Sequence, residues 1–368
     1  MAFSLSQFFT KPVRSVVGID IGSSSIKIVQ LRREAGRAVL ETYGAIALGP
    51  YANIEIGRAT QLPADTIATA LKDVLKESNT TTAESVFAIP YASSLVSVVR
   101  LPAAVQGKLD QVMPLEARKY IPVPISEVQL DWSLVSGSGS GSQDKIEVML
   151  VAIQNSVLEK YRAVATATAL QVSFFEIEVF SAVRASLDHG IAPVAVVDMG
   201  AATTKFYVVE RGIIRESHII NRGSQELTLN ASRALGMSVV QAEESKRRVG
   251  MVPPSQPATI PGTHATTADA AHSFELSIAP TVAELSHTIS SFEQRMGEAI
   301  STLVLTGGGA GLPGLIPYLQ SRLQTEVRLA DPFSKTQAPA FLEGVLKEAG
   351  PEFSVAVGIA LRKLQELE

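Results

Sequence analysis

The residues of this chain best suited to chemistry lie in two short segments that repeat each other. Residues 16–27 have the sequence VVGIDIGSSSIK and residues 194–205 have the sequence VAVVDMGAATTK. The residues suited to chemistry match at the same offsets: Asp20 and Asp198, Gly22 and Gly200, Lys27 and Lys205. An apolar run that ends in Asp, followed by Gly, small residues and a β-branched run, predicts a hairpin with a polar tip.

The predicted hairpin tips carry groups that suit a polyphosphate and its metal ion. Glycine permits a close backbone approach, consecutive N–H groups and hydroxyls suit phosphate oxygens, and Asp suits a hydrated Mg²⁺. For either hairpin alone, the alternative is a tight glycine turn whose Asp accepts local N–H groups. Turn chemistry does not require the second match at the distant lysine, so the repeat favours two facing phosphate loops.

Length and composition limit the classes of protein that the chain can represent. At 368 residues it exceeds the size at which one core usually stops growing, so we expect two domains or a duplicated pair. A net charge of −4 without a dense Lys/Arg stripe disfavours nucleic-acid binding. The absence of cysteine excludes disulfides, thiolate metal sites and cysteine nucleophiles. The five histidines have no metal-ligand spacing.

The N-terminal segment, residues 1–14, lacks the charged start, long apolar core and cleavage site of a secretory signal. Apolar runs such as residues 191–199 are much shorter than the roughly 20 residues of a membrane-spanning helix. We therefore expect a soluble, cytoplasmic protein.

A small α+β subdomain is predicted between the two hairpins, at residues 88–171. Its strands at 128–135 and 146–153 are joined by a Gly/Ser alternation at 136–142, which predicts a flexible loop.

After the second hairpin, the helical patterns at 226–235 and 239–248 are followed by a segment without a sustained period. This segment, residues 251–271, is rich in Pro, Thr, Ala and Ser, so we predict an exposed insertion. A long amphipathic helix is predicted to begin again at residue 277.

A predicted strand at residues 302–306 leads directly into three glycines, Gly307 to Gly309. Such a segment allows the backbone to lie flat beneath a planar base or ribose, and the alternative is a packing bend. The charged residues from Glu243 to Arg247 are either contacts to a purine and ribose or a solvated helix face.

Taken in chain order, a phosphate loop, a second phosphate loop and a Gly-rich loop resemble the actin, sugar kinase and Hsp70 ATPase superfamily. Residues 17–27, the sequence EARKYIPVP at 116–124 and TGGGA at 306–310 are similar to the PilM family of actin-like type IV pilus assembly proteins. The sequence YIPVP separates this family from its relative FtsA, a division protein. The resemblance covers residues 16–364.

The resemblance implies an α/β fold with two actin-like lobes, in which duplicated ribonuclease-H-like subdomains 1A and 2A carry small subdomains 1C and 2B. The implied bounds are an N-terminal tail at 1–15, 1A at 16–87, 1C at 88–171, a return to 1A with a connecting helix at 172–191, the first part of 2A at 192–212, 2B at 213–300 with the insertion at 251–271, the second part of 2A at 301–350, and a closing helix at 351–368.

The resemblance also implies ATP with Mg²⁺ between the lobes, with Asp20 and Asp198 organising the metal and the attacking water. Lys27 would pair with the phosphates. The other implied nucleotide-binding residues are Gly22, Ser23, Ser24, Ser25, Gly200, Ala201, Ala202, Thr203, Thr204, Gly223, Glu243, Lys246, Gly307, Gly308, Gly309 and Ala310. Ser181 aligns with a glutamine that positions water in actin, so we expect slow or absent ATP hydrolysis.

The partner implied by the resemblance is the short cytoplasmic N-terminal tail of a PilN-like inner-membrane protein, bound in a groove between 1A and 1C. The chain would then be an adaptor that couples the cytoplasmic motor to the envelope complex. It would meet other pilus machinery proteins and be held at the inner membrane indirectly, and self-association is left open.

Two alternative functions share the implied fold. A filament-forming division protein like FtsA is expected to carry an amphipathic membrane-targeting helix after a linker, whereas this sequence stops at Glu368 after a helix typical of a core. A small-molecule kinase would need a carboxylate beside the γ-phosphate to activate a substrate hydroxyl.

Overall fold

A computed structural model describes residues 15–135, 144–188, 190 and 192–366 of the chain. The predicted tail at 1–14 and the predicted loop at 136–142 lie outside the described residues. Strands and helices are numbered in chain order below.

The first sheet has five strands in the order β3-β2-β1-β4-β8. β2 pairs antiparallel with both β1 and β3, whereas β4 pairs parallel with both β1 and β8. Apolar runs in β1 and β2 are buried along almost their whole length, as expected for a sheet covered on both faces. The strands are β1 Ser15–Ile21, β2 Ser25–Glu34, β3 Arg37–Ala47, β4 Glu84–Ile89 and β8 Gln171–Ile177.

The second sheet repeats the first in strand order and direction, as β11-β10-β9-β12-β13. The duplication predicted from the sequence repeat is therefore confirmed at the level of topology. The strands are β9 Val194–Met199, β10 Thr204–Glu210, β11 Ile213–Ile220, β12 Thr302–Thr306 and β13 Glu326–Leu329.

A third, antiparallel sheet in the order β5-β7-β6 lies between β4 and β8 in the chain. Met113 and Ala117 pack on it in a core of its own, together with Val148 and Leu150. The strands are β5 Ser94–Pro102, β6 Val128–Leu134 and β7 Lys145–Gln154.

Helices cover the sheets and fix the two lobes to each other. Their bounds are α1 Ala64–Glu77, α2 Leu109–Glu116, α3 Asn155–Ala167, α4 Glu178–Ser186, α5 Ser224–Leu235, α6 Val239–Arg248, α7 Thr267–Met296, α8 Leu315–Leu323 and α9 Glu343–Glu366. α1 and α3 pack on one face of the first sheet. α4 and α9 share an apolar core with residues of both the first and the second sheet. Among the described helices, none has both the length and the apolarity needed to cross a membrane.

The crossing of α4 and α9 depends on a glycine. A Cβ on Gly358 would lie 1.9 Å from the backbone oxygen of Ser181, so no larger residue fits there. This close approach lets α4 and α9 pack tightly in the apolar core that they share with the two five-stranded sheets.

The predicted exposed insertion at 251–271 is wrong in its second half. Ile260 and Ala265 are buried in the core of the second lobe, and Thr259 bridges to Thr266. α7 begins at Thr267, ten residues before the predicted start, because Thr266 and Asp269 form a capping box. The high content of Pro and Thr hid this helix start from the periodicity.

Candidate functional site

The tips of the two repeated hairpins line one cleft of about 640 Å³. This volume is in the range of about 300 to 1,000 Å³ that is usual for small-molecule sites. The predicted residues that line it are Asp20, Gly22, Ser23, Ser24, Ser25, Lys27, Asp198, Gly200, Ala201, Thr203, Glu243, Lys246, Gly307, Gly308 and Gly309.

Four of the residues predicted to bind nucleotide do not line the cleft: Ala202, Thr204, Gly223 and Ala310. Thr204 is fully buried and donates to the backbone oxygen of Arg222. Ala310 lies in the core of the second lobe. Gly223 packs against the tip of the second hairpin, where a Cβ would lie 2.2 Å from the oxygen of Ala201.

Each hairpin places its Asp directly opposite its Lys. Asp20 pairs in register with Lys27 between β1 and β2, and Asp198 pairs with Lys205 between β9 and β10. Residues opposite each other in an antiparallel pair point to the same face of the sheet. Each lobe therefore presents one carboxylate and one ammonium group to the cleft.

The two lysines differ in their contacts. Lys205 Nζ lies 2.9 Å from Asp198 Oδ2 and 2.8 Å from Glu178 Oε2. Burial by itself would lower the pKa of Lys205, but the two carboxylates outweigh it and hold that pKa well above its usual value. Lys27 Nζ makes no hydrogen bond or ion pair to any residue that the structure describes. Its ammonium group is thus available to an anion in the cleft.

Asp20 is 8% exposed, and burial raises the pKa of its carboxyl to about 6 despite the nearby positive charge of Lys27. Glu178 and Asp198 add to this rise because they are of like charge. A cation placed at the carboxylate would relieve both effects. The cleft is therefore electrostatically suited to a metal ion beside Asp20.

The donor set of the cleft fits Mg²⁺ held together with a polyphosphate. Mg²⁺ keeps several waters and is usually bound by one or two carboxylates plus substrate phosphates. Asp20 and Asp198 can supply those carboxylates. Within the described ranges, no three His, Cys, Asp or Glu side chains form a cage that would hold a metal without a phosphate.

The three glycines after β12 bring the backbone close to the end of β9 at the tip of the second hairpin. Thr306 pairs with Asp198 in the parallel β9–β12 ladder, so Gly307 follows directly beside that carboxylate. A Cβ on Gly307 would lie 2.3 Å from Asp198 Oδ1, and its φ is +85°. A Cβ on Gly309 would lie 3.0 Å from Met199 Cβ. Only glycine leaves this wall of the cleft flat.

Glu243 and Lys246 on α6 form a buried cluster at one side of the cleft. Glu243 Oε2 lies 2.6 Å from Lys246 Nζ and accepts a hydrogen bond of 2.7 Å from Thr228 Oγ1. Arg247 Nε donates to the other carboxylate oxygen at 2.8 Å. Burial opposes ionisation, but these donors, Lys246 foremost, keep the pKa of Glu243 below its usual value. The alternative of a solvated helix face is wrong for Glu243 and Lys246.

Glu178 is a further carboxylate of the cleft, and sequence reasoning missed it. It is the first residue of α4, its Oε1 accepts a 2.6 Å hydrogen bond from the N–H of Tyr91, and its Oε2 accepts from Lys205. No motif marks it. The available signal is its place just after β8, since ligands of α/β sheets bind at the carboxyl ends of the strands.

Ser181, the residue aligned with the water-positioning glutamine of actin, does not reach the cleft. Ser181 is fully buried, and its hydroxyl donates to Glu176 Oε2 at 2.5 Å. Its backbone lies against Gly358 of α9, and Ser181 is not among the residues that line the cleft.

A match to a known protein family decides which proteins this chain is related to. Residues 18–364 match a family described as type IV pilus assembly protein PilM. The chain belongs to the PilM family. The resemblance drawn from the motifs is therefore confirmed over most of the chain.

Solved structures agree with the PilM family and its actin-like fold. A structure described as a PilM–PilN type IV pilus biogenesis complex has a TM-score of 0.78 at 22% identity, covering 95% of this chain and 99% of that chain. MreB 5 of Spiroplasma citri bound to AMPPNP has a TM-score of 0.55 at 12% identity, covering 96% and 98%. At these identities the likeness shows the fold, which is the predicted actin-like fold.

Cell division protein FtsA of Bacillus subtilis (strain 168) is a relative of this PilM family member. The two are 23% identical over 279 residues, which is 72% of this chain. The aligned region spans only 58% of the FtsA sequence.

Proposed function

We propose that this chain is an ATP- and Mg²⁺-binding adaptor of type IV pilus assembly. One observation carries the proposal: two hairpins of identical register line a single cleft, and one of their lysines has no protein partner among the described residues. Such an arrangement suits a ligand with several negative charges and a metal ion.

In this function, each lobe contributes a defined part of the site. The backbone N–H groups and hydroxyls at residues 22–25 and 200–203 hold phosphate oxygens, and Lys27 neutralises their charge. Asp20 and Asp198 orient the hydrated metal, which screens the phosphates when bound. Residues 307–309 leave a flat wall for the base, and Glu243 can accept hydrogen bonds from ribose hydroxyls.

Glu178 accounts for the slow hydrolysis that we expect. A general base must take a proton from the attacking water. Both oxygens of Glu178 already accept hydrogen bonds, one from Tyr91 and one from Lys205. These two bonds hold the carboxylate in place and compete with the attacking water, so Glu178 is a hindered base, and nucleotide binding acts chiefly by holding the two lobes together.

Calorimetric titration of ATP with and without Mg²⁺ tests this function. The wild type should bind ATP more tightly with Mg²⁺, and D20N should lose about 10- to 100-fold in affinity, the loss usual when the support of a metal site is removed. D110N changes an exposed Asp on α2 and serves as the matched control. Failure of the wild type to bind, or an unchanged D20N, would overturn the proposal.

The partner in this proposal is the cytoplasmic tail of a PilN-like membrane protein, bound between the first and third sheets. Support comes from the structural neighbour that is described as a PilM–PilN complex. The third-sheet unit also exposes apolar side chains that a peptide could cover: Leu115 at 63%, Tyr120 at 40% and Leu134 at 42%. The chain would then lie on the cytoplasmic side of the inner membrane, held there by its partner.

Fluorescence anisotropy with a labelled tail peptide tests the partner. L115E should weaken the binding because it places a charge in an apolar contact. V252E changes a valine of similar exposure, 52%, in the second lobe and should leave binding unchanged. Equal effects of the two variants would argue against a site on the third-sheet unit.

A further inference from the structure

One segment of the first lobe crosses to the second lobe at the mouth of the cleft. This segment, residues 48–60, connects β3 to α1 and is called the strap below. Both of its ends are hydrogen-bonded to residues 22–25, which are called the first phosphate loop below. Leu48 N donates to the oxygen of Ser24 at 2.9 Å, and Thr60 N donates to the oxygen of Ser23 at 2.8 Å. A shift of that loop therefore moves the strap with it.

The strap touches the second lobe at two points. The backbone N–H of Ala59 donates to Gln225 Oε1 at 3.0 Å. Gly57, with a φ of +89°, lies against Glu243, and a Cβ there would be 2.8 Å from the Cδ of that carboxylate. Gly57 and its neighbour Ile56 line the cleft beside the phosphate loops. The strap thus spans the cleft next to the proposed nucleotide.

Gln225 is itself hydrogen-bonded to residues 200–203, which are called the second phosphate loop below. Its backbone N–H donates to the oxygen of Ala201 at 3.1 Å, and Ser224 N donates to the oxygen of Gly200 at 2.9 Å. Gln225 therefore receives the strap through its side chain and holds the second phosphate loop through its backbone. One residue joins the two loops that would clamp a polyphosphate.

We propose that Gln225 is a positioning residue that latches the strap across the bound nucleotide and slows its release. The inference rests on the proposed nucleotide-binding function. When the lobes separate, the bond between Ala59 and Gln225 must break, because its donor moves with the first phosphate loop and its acceptor with the second. Breaking this bond is therefore one of the steps that let a nucleotide leave.

The test compares three variants of the full chain. Q225L is one bond shorter and has no acceptor, Q225E keeps both the length and an acceptor oxygen, and Q111L replaces an exposed glutamine on α2 as the matched control. Stopped-flow release of a fluorescent ATP analogue gives the dissociation rate. Hydrogen exchange of peptides covering residues 54–61 reports on the Ala59 N–H, and urea unfolding reports on stability.

Q225L should release the analogue about 3- to 10-fold faster, the effect of losing one neutral hydrogen bond. Its association rate and unfolding free energy should stay close to those of the wild type, and the Ala59 amide should exchange faster with or without nucleotide. Q225E should restore slow exchange and slow release, and Q111L should match the wild type.

The outcomes separate this inference from the function on which it rests. Release from Q225L at the wild-type rate, despite faster exchange at Ala59, would overturn the latch alone. Faster release from Q225L and Q225E alike would overturn it too, because the acceptor would not be the cause. A wild type that binds no ATP analogue would remove the proposed function, and the latch with it.

Discussion

The carboxylate of Asp198 and the ammonium group of Lys205 face each other across β9 and β10 at 2.9 Å, whereas Asp20 and Lys27 hold the same register in the first lobe without an ion pair. Glu178 adds a second carboxylate to Lys205 from α4. Two hairpins that are alike in sequence thus differ in the contacts of their lysines. Lys205 is paired with carboxylates of the protein, whereas Lys27 keeps its ammonium group for a ligand.

Lys27 should therefore matter for binding more than for folding. We predict that K27M lowers the affinity for Mg²⁺-ATP by about tenfold or more, because a charge pair near a protein surface is worth up to about 4 kcal/mol. The free energy of unfolding should change less than in K205M, since Lys27 makes no hydrogen bond or ion pair with a described residue and acts on Asp20 only through its nearby charge. Titration calorimetry and urea denaturation measure the two effects.

Lys205 should matter for folding more than for binding. K205M leaves two buried carboxylates, Asp198 and Glu178, without their shared cation, and we predict a loss of about 3 to 5 kcal/mol in the free energy of unfolding. Urea denaturation of K205M beside K27M gives the comparison. Equal destabilisation by the two substitutions would contradict the difference between the hairpins.

Residual ATP hydrolysis should depend on Glu178. We predict that E178Q lowers the steady-state rate by about 10- to 100-fold, because it removes the hindered base that lines the cleft together with Asp20 and Asp198. ATP affinity should be retained. The exposed Glu159 on α3 provides the control substitution E159Q, and phosphate release is the measurement. An E178Q variant with the wild-type rate would show that another group accepts the proton.

Glu176 should stabilise the packing of β8 against α4 and α9 in a pH-dependent way. It accepts hydrogen bonds from Arg184 and Arg362 and so ties β8 to α4 and α9. Burial opposes ionisation, but Arg184, Ser181 and Arg362 lower the pKa of Glu176 below 4.5. The folded pKa is below the unfolded one, so this stability is present above about pH 4.5 and is lost as the pH falls.

We predict that E176Q costs about 3 kcal/mol near pH 7, the lower end of the range for breaking a buried ion pair. The difference from the wild type should shrink below about pH 4 as the native carboxylate is protonated. Urea denaturation of E176Q and the wild type at both pH values measures this difference. A difference that does not change with pH would assign the loss to packing instead of charge.

The hydroxyl of Tyr207 should be dispensable for stability. Tyr207 is fully buried, and among the described residues its Oη has no hydrogen-bond partner. We predict that Y207F leaves the free energy of unfolding unchanged or raises it by about 1 kcal/mol, because it removes an unsatisfied polar group. Y51F is the matched comparison, since Tyr51 donates to Asp73 at 2.6 Å and should lose stability. Thermal and urea unfolding of Y207F, Y51F and the wild type measure the changes in unfolding free energy.

The sequence by itself determined the parts of this protein that depend on neighbours in the chain. The repeated Asp, Gly and Lys offsets fixed both hairpins and their register, because Asp20 and Lys27 are joined by one short turn. The same repeat gave the duplicated topology. The apolar strand before Gly307 likewise predicted where the chain must lie flat.

Only the tertiary structure decided the parts whose partners are distant. Glu178 enters the cleft by bonding to Tyr91, 87 residues away, and Gln225 meets Ala59, 166 residues away. The difference between Lys27 and Lys205 has the same origin, since it arises from a carboxylate on another element. Local patterns specify turns and faces, whereas the charges and contacts that a cleft brings together are fixed only when separate elements pack.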